Sequence, residues 1–177
     1  FWRQSEADFD ASLAAAPALL ATLDGTDATA EVMRMTSRID GHSGVYLADA
    51  GFHLYDIHLY EFDGEFAVIA AADPTLVGTT VVSIAGMPVG DAAAAVVPYS
   101  PFDNAATVRL VVPTLLTTPE VLRAAGVIDD VDAPRYVVRH PLVRDPQLLR
   151  RPLLQRMGRW RHDRDPGATD GGHARRV

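Results

Sequence analysis

The sequence predicts an α+β fold, in which an N-terminal pair of helices precedes a small module of short strands and helices. Apolar side chains recur at helical spacing before residue 44 and at a period of two after it. This change of period divides the chain into a helical hairpin at residues 1–43, a strand and helix module at residues 44–134, and a tail at residues 135–177.

Two helices account for the predicted hairpin. Ala and Leu dominate residues 9–23, which favours a helix that is kinked or restarted at Pro17. Asp24 and the glycine after it end this helix, and Thr26 or Asp27 can cap the next one. The apolar residues that share a face of the second helix are Val32, Met35 and Ile39.

The module begins with short strands joined by tight turns. Asp63-Gly64 predicts a hairpin turn, because glycine accepts the positive φ that such a turn requires. Asp73-Pro74 ends the second strand of this hairpin, and residues 80–84 form the next strand. The apolar positions that suggest strands before the hairpin turn are Val45, Leu47, Leu54, Ile57, Leu59 and Phe62.

A turn and helix caps define the middle of the module. Residues 86–88, Gly-Met-Pro, predict a turn that leads into a helix at residues 92–97. Asp103 or Asn104 can cap a further helix that runs through Leu110.

The last predicted helix has signals at both ends. Thr117 and Thr118 precede Pro119, which suits the first turn of a helix, and Glu120 is placed to close a capping box. Gly126 ends the helix. One more strand is predicted at residues 136–138.

Charge separates the tail from the rest of the chain. The net charge of −7 divides into −14 for residues 1–134 and +7 for residues 135–177, and all sixteen basic residues are arginine. Residues 158–177 are too poor in apolar side chains to offset the entropy of ordering, so we expect them to be disordered. An interrupted reading frame between residues 140 and 160 is a second hypothesis for this composition. Tyr136 and Trp160 are the large aromatic rings of the tail, too few to interleave with its arginines, so the tail does not predict a specific nucleic-acid partner.

Composition excludes several classes of chemistry. The chain has no cysteine, which rules out disulfides and thiolate catalysis within it. The longest apolar run, residues 92–97, is too short to span a bilayer, so no transmembrane segment is expected. No signal-peptide pattern, phosphate-binding loop or zinc-finger spacing occurs, and no cofactor is predicted.

Three groups of polar residues are candidates for reactive sites. Residues 41–44, Gly-His-Ser-Gly, lack the glycine at position 45 that a nucleophile elbow needs, so Ser43 is not expected to be catalytic. His53 and His58 lie five residues apart, and on one strand they would point to opposite faces, which disfavours a metal site. The acidic run at residues 129–132 is typical of a solvated linker.

The module resembles part of a known peptidase family. Residues 78–89, Gly-Thr-Thr-Val-Val-Ser-Ile-Ala-Gly-Met-Pro-Val, resemble the PDZ-like stretch of the C-terminal processing (tail-specific) serine peptidases, with Ala85 where that family usually has Asn. Residues 40–45, Asp-Gly-His-Ser-Gly-Val, are similar to the Asp-Gly-His-Thr segment of the same family. The resemblance covers roughly residues 9–130, and it implies that the module at residues 44–134 is PDZ-like.

The resemblance also implies a function. This region would present the C-terminal segment of a peptide or protein to a serine nucleophile held in a later domain. The chain has no lysine, and arginine stays protonated, so a Ser-Lys mechanism within it is excluded. The residues that the resemblance associates with substrate presentation are Gly64, Phe66, Val68, Val82 and Ile84, with Gly86 and Pro88 shaping the turn.

A second function stays open on the sequence. The chain could be a stand-alone binding or scaffold domain with no peptidase activity, and a neighbouring reading frame that encodes a serine-containing catalytic domain would favour the peptidase instead. The sequence leaves the oligomeric state and the compartment undetermined, although the parent of such a domain could be secreted or periplasmic.

Overall fold

The computed structural model has the predicted α+β fold, with helices at the N-terminus and an antiparallel sheet in the module. The predictions for Ser43 and for the tail after residue 140 lie outside the residues that the structure describes. The described residues are 5–39, 44–45, 47, 50–101 and 103–140.

Two capped helices open the chain. Helix α1 spans Glu6–Leu20 and contains Pro17 without ending there. Helix α2 spans Gly25–Thr36, and its cap is Asp24, whose side chain accepts a hydrogen bond from the amide nitrogen of Asp27. The predicted caps of α2 were wrong because Asp24 already supplies a carboxylate in the extended conformation that a cap requires.

Helix α2 buries Met35 as predicted, but the residues that pack in the main core lie on another part of its surface. Val32 is exposed, whereas Ala30 and Met33 pack in the hydrophobic core. Ser37, four residues after Met33, is also buried, and its hydroxyl donates a hydrogen bond to the carbonyl oxygen of Pro98. This buried polar contact orients the helix, since a buried hydroxyl needs a partner.

The sheet has five strands, and every pairing in it is antiparallel. Strand β3 lies at its centre, because it pairs with three other strands, β2, β4 and β5. Strand β1 pairs with β2. The strands are β1 (Ile57–Phe62), β2 (Glu65–Ala71), β3 (Thr80–Ile84), β4 (Met87–Pro88) and β5 (Tyr136–Arg139).

Two hairpin turns have the same backbone geometry. Asp63 and Gly64 between β1 and β2 have φ angles of 51° and 83°. Ala85 and Gly86 between β3 and β4 have φ angles of 49° and 91°. Positive φ at both central residues defines a type I′ turn. The predicted turn at residues 86–88 therefore begins one residue earlier, and β4 occupies its last two positions.

Three helices cover the inner side of the module. Helix α4 runs five residues beyond Leu110 and contains Pro113, because burial of Val112 and Leu115 favours continuing the helix. Asn104 caps α4 and accepts hydrogen bonds from two backbone amides, as predicted. The helices are α3 (Val89–Val96), α4 (Ala105–Leu115) and α5 (Pro119–Ala124), with single 3-10 turns at Pro74–Leu76 and Val97–Tyr99.

One hydrophobic core unites these elements. Ile84, Leu116 and Leu122 are fully buried at its centre. Met33 of α2 and Tyr136 of β5 belong to the same cluster. The second helix, the module and the strand after residue 134 therefore pack as one body, although the change of sequence pattern assigns them to three segments.

Candidate functional site

Strand β1 has an edge without a strand partner in the described part of the chain. Leu59 pairs with Val68 of β2, and both backbone groups of Val68 bond away from β1: its amide nitrogen donates to Thr79 (2.9 Å) and its carbonyl oxygen accepts from Gly78 (2.8 Å). The Leu59–Val68 pair is therefore not hydrogen-bonded, and in an antiparallel ladder such pairs alternate with bonded ones. The amide and carbonyl of Leu59, and of Glu61 two residues later, accordingly point away from β2.

Access to this edge increases toward the hairpin turn. On the inner face of β1, Ile57 and Leu59 are buried and Glu61 is half-buried, whereas Tyr60 and Phe62 on the outer face are exposed. Helix α4 packs against β1, which places a helix beside the strand that has the free edge. The accessible part of the edge is therefore its last residues, Tyr60 to Phe62.

An aromatic pair lies on the outer face of the sheet at this end of β1. Tyr60 and Phe62 are 45% and 54% exposed, and their ring centroids are 4.7 Å apart. Two more apolar side chains of the sheet are exposed: Ile69 of β2, and Val82, which is unpaired at a β-bulge in β3. Large exposed aromatic side chains are typical of recognition surfaces.

Carboxylates surround the end of the edge. Glu61 lies within β1 and Asp63 in the turn that follows it. Glu65, the first residue of β2, bonds Arg139 of β5 with 2.6 Å between its carboxylate oxygen and the guanidinium nitrogen. Arg139 is thereby paired with Glu65, and Glu61 and Asp63 give this end of the edge a negative local charge.

The five residues associated with substrate presentation divide into two groups. Gly64 is exposed in the hairpin turn, and Val82 is exposed on the sheet. Phe66, Val68 and Ile84 are 5%, 1% and 0% exposed, and all three belong to the core. The first two can contact a ligand directly, whereas the other three hold the strands in register. A role of all five in substrate presentation stays a prediction.

A buried carboxylate clamps the loop that leads into β1. Glu120 is 4% exposed, and its two oxygens accept from the backbone amide of His53 (3.1 Å) and contact its ring nitrogen Nδ1 (2.5 Å). The predicted capping box is therefore wrong: Glu120 turns toward His53, and the hydroxyl of Thr118 donates to the carbonyl oxygen of Thr114. The signal for this clamp is absent from the local sequence, because the two partners lie 67 residues apart.

His53 and His58 belong to different parts of the structure. His53 lies in the loop before β1 and not on the strand, whereas His58 lies within β1. Among the residues that the structure describes, no three His, Cys, Asp or Glu side chains converge to hold a metal ion. In the same residues, no helix is long and apolar enough to cross a membrane.

Two tyrosines fix the base of β1 against the helices. The hydroxyl of Tyr55 donates to the carbonyl oxygen of Val131 (2.9 Å), and that of Tyr136 donates to the carbonyl oxygen of Leu116 (2.6 Å). Their rings meet edge to face at 6.1 Å. Burial raises the pKa of both phenols, and the nearby Glu120 carboxylate raises the pKa of Tyr55 further.

A third clamp joins α5 to α2. Arg123 donates to the carboxylate of Asp27 at 2.5 Å and to the hydroxyl of Thr26 at 3.1 Å. The hydrogen bond to Asp27 raises the pKa of Arg123, and the negative charges of the neighbouring carboxylates act in the same direction. Together with the Glu120 clamp, this contact makes α5 the element to which both α2 and the loop before β1 are attached.

Comparison of the chain with protein-family models, with curated proteins and with solved structures gives no match.

Proposed function

We propose that this chain is the substrate-positioning, peptide-binding portion of a tail-specific-type serine peptidase and is not catalytic by itself. The observation that carries the proposal is the unpaired end of β1, where the backbone groups of Glu61 point away from the sheet beside the exposed rings of Tyr60 and Phe62. An extended peptide can add to such an edge as another strand, with affinity from backbone hydrogen bonds and selectivity from alternate side chains.

The stretch that carries the family resemblance supports this proposal through its position. Residues 78–89 supply the central strand β3, the turn at Ala85 and Gly86, strand β4 and the start of α3. The segment that resembles the PDZ-like stretch is thus the one around which the sheet is organised. Holding a peptide in one orientation is how a positioning domain contributes to a reaction carried out elsewhere.

The test is a binding titration of fluorescent peptides with free C-termini, run beside a casein hydrolysis assay and fluorophosphonate labelling of the same sample. We expect saturable binding, no turnover and no labelled serine. Turnover with a labelled serine would place the nucleophile within these residues and refute the non-catalytic assignment. A complete failure to bind peptides would refute the positioning role.

The alternative, a stand-alone binding or scaffold domain, shares the binding surface and differs in its partner. Adding a separately expressed tail-specific catalytic domain separates the two. A positioning domain increases cleavage of the peptides that it binds, whereas a scaffold domain that binds the same peptides protects them from cleavage.

A further inference from the structure

The register of β1 determines which side chains of an added peptide would meet which side chains of the protein. A residue that pairs with Glu61 directs its side chain to the same face as Glu61, and its two neighbours direct theirs to the face of Tyr60 and Phe62. The two faces differ in chemistry, because one presents a carboxylate and the other presents two aromatic rings.

Charge around the edge favours a cationic peptide. Residues 1–140 carry nineteen acidic residues against seven arginines, and Asp56, Glu61 and Asp63 lie on β1 or immediately beside it. Arg139 of β5 is engaged by Glu65. Arg109 lies on the exposed side of α4, the helix that packs against β1. Opposite potentials on two surfaces increase the rate of association and exclude partners of the wrong charge.

We propose that the hairpin end of β1 binds an extended peptide segment with the pattern apolar, basic, apolar. This inference rests on the proposed peptide-binding function and names its substrate class. The basic residue pairs with Glu61 and approaches its carboxylate, and the two apolar residues cover the rings of Tyr60 and Phe62. The backbone of the central residue bonds the amide and carbonyl of Glu61.

Three peptides of equal length test the pattern. The first alternates Val and Lys, the second alternates Val and Glu, and the third has the composition of the first with its Val residues in one block. Fluorescence anisotropy with the full chain should show that the first peptide binds roughly tenfold more tightly than either of the others. The second peptide loses the charge contact with Glu61, and the third loses the alternation that places Val on both sides of the basic residue. This preference should weaken as salt is added.

Substitutions at Glu61 separate the backbone contact from the charge. Glu61→Pro removes an amide that points away from β2, a position where proline is tolerated in an edge strand. Glu61→Ala is its matched control, because it removes the carboxylate and keeps the amide. The Val-Lys peptide should bind the proline variant about tenfold more weakly than the alanine variant. Proline removes one hydrogen-bond donor, and its ring hinders the approach of the peptide backbone.

Hydrogen exchange on the unmodified chain gives a second measurement that depends on no variant. Binding of the Val-Lys peptide should slow exchange in residues 59–62 and leave β5 unchanged. Peptide binding with no protection at β1, or equal binding by the two Glu61 variants, would overturn the proposed edge.

The remaining outcomes distinguish the two levels of proposal. Equal affinity for the Val-Lys and Val-Glu peptides would refute the basic substrate class and leave peptide binding intact. Absence of binding by all three peptides, together with a failure of the C-terminal peptides above, would refute both. Protection of β1 that depends on protein concentration without peptide would identify a second copy of the chain as the occupant.

Discussion

Replacing Ala85 should stabilise the protein, because this residue adopts a backbone conformation that alanine disfavours. Ala85 has a φ angle of 49° and lies at the first central position of the turn between β3 and β4. The equivalent position of the other hairpin holds Asp63, with a φ angle of 51°. Asn, Asp and Gly adopt this region more readily than alanine does.

The magnitude follows from the conformational penalty alone. Ala85 is exposed, so its replacement changes no core packing. A left-handed conformation costs an L-residue roughly 1–2 kcal/mol. Glycine recovers this cost and loses about 0.5–1 kcal/mol through the greater freedom of the unfolded chain. We therefore expect Ala85→Gly and Ala85→Asn each to raise the free energy of unfolding by about 0.5–1 kcal/mol.

The assay is urea denaturation followed by circular dichroism, with Ala94 as the matched control position. Ala94 is exposed in the middle of α3, and Ala94→Gly should lower the free energy of unfolding by about 1 kcal/mol. The same substitution thus changes stability in opposite directions at the two positions. A neutral or destabilising Ala85→Gly, with an unchanged denaturant slope, would refute the reasoning.

Three further predictions concern the contacts that hold α5 and the tyrosines. Glu120→Ala should lower the free energy of unfolding by about 2–3 kcal/mol, because it removes two hydrogen bonds to a buried carboxylate. His53→Ala keeps the bond to the backbone amide and should lower it less. Equal losses of stability in urea denaturation would contradict the role of Glu120. Arg123→Ala should lower the free energy of unfolding by about 0.5–1 kcal/mol, since its ion pair with Asp27 is partly exposed. A double-mutant cycle with Asp27→Ala should show that the two losses are not additive. Additive losses would rule out a stabilising interaction between the two side chains. Stability should fall as pH rises above about 10, because the unfolded chain ionises tyrosines whose pKa the folded state raises. The tyrosines with a raised pKa are Tyr55, Tyr99 and Tyr136. If their phenolate absorbance appeared at a pH where the protein is still folded, the pKa of these residues would not be raised and the prediction would be wrong.

Elements specified by adjacent residues could be predicted from the sequence. The Asp63-Gly64 turn, the strand at Thr80–Ile84 and the cap at Asn104 are all present as predicted. The stop at Gly126 is confirmed in detail: its φ is 70°, its amide bonds the carbonyl of Arg123, and the next amide bonds that of Leu122. These signals are reliable because a turn or a cap depends on the conformations and hydrogen bonds of a few consecutive residues.

Features that depend on distant partners could not be predicted in this way. Glu120 was expected to bond within its own helix, and only the folded chain brings His53 to it. The apolar face of α2 was predicted only in part. Met35 is buried, but helical spacing fits more than one face, and packing places Ala30 and Met33 in the main core instead of Val32. The accessible end of β1 could be located only from the strand pairing, since a strand edge is defined by which other strands pair with it.

The unpaired end of β1 also has a consequence for the protein in concentrated solution. An edge that accepts a peptide accepts the same edge of a second molecule, which is how soluble sheets begin to aggregate. When two β1 strands pair antiparallel about Glu61, the two carboxylates lie directly opposite each other and repel. Salt screens that repulsion, so self-association through β1 should increase with ionic strength while binding of a basic peptide decreases. The carboxylate that we propose to select a cationic partner would thus also keep the molecules apart.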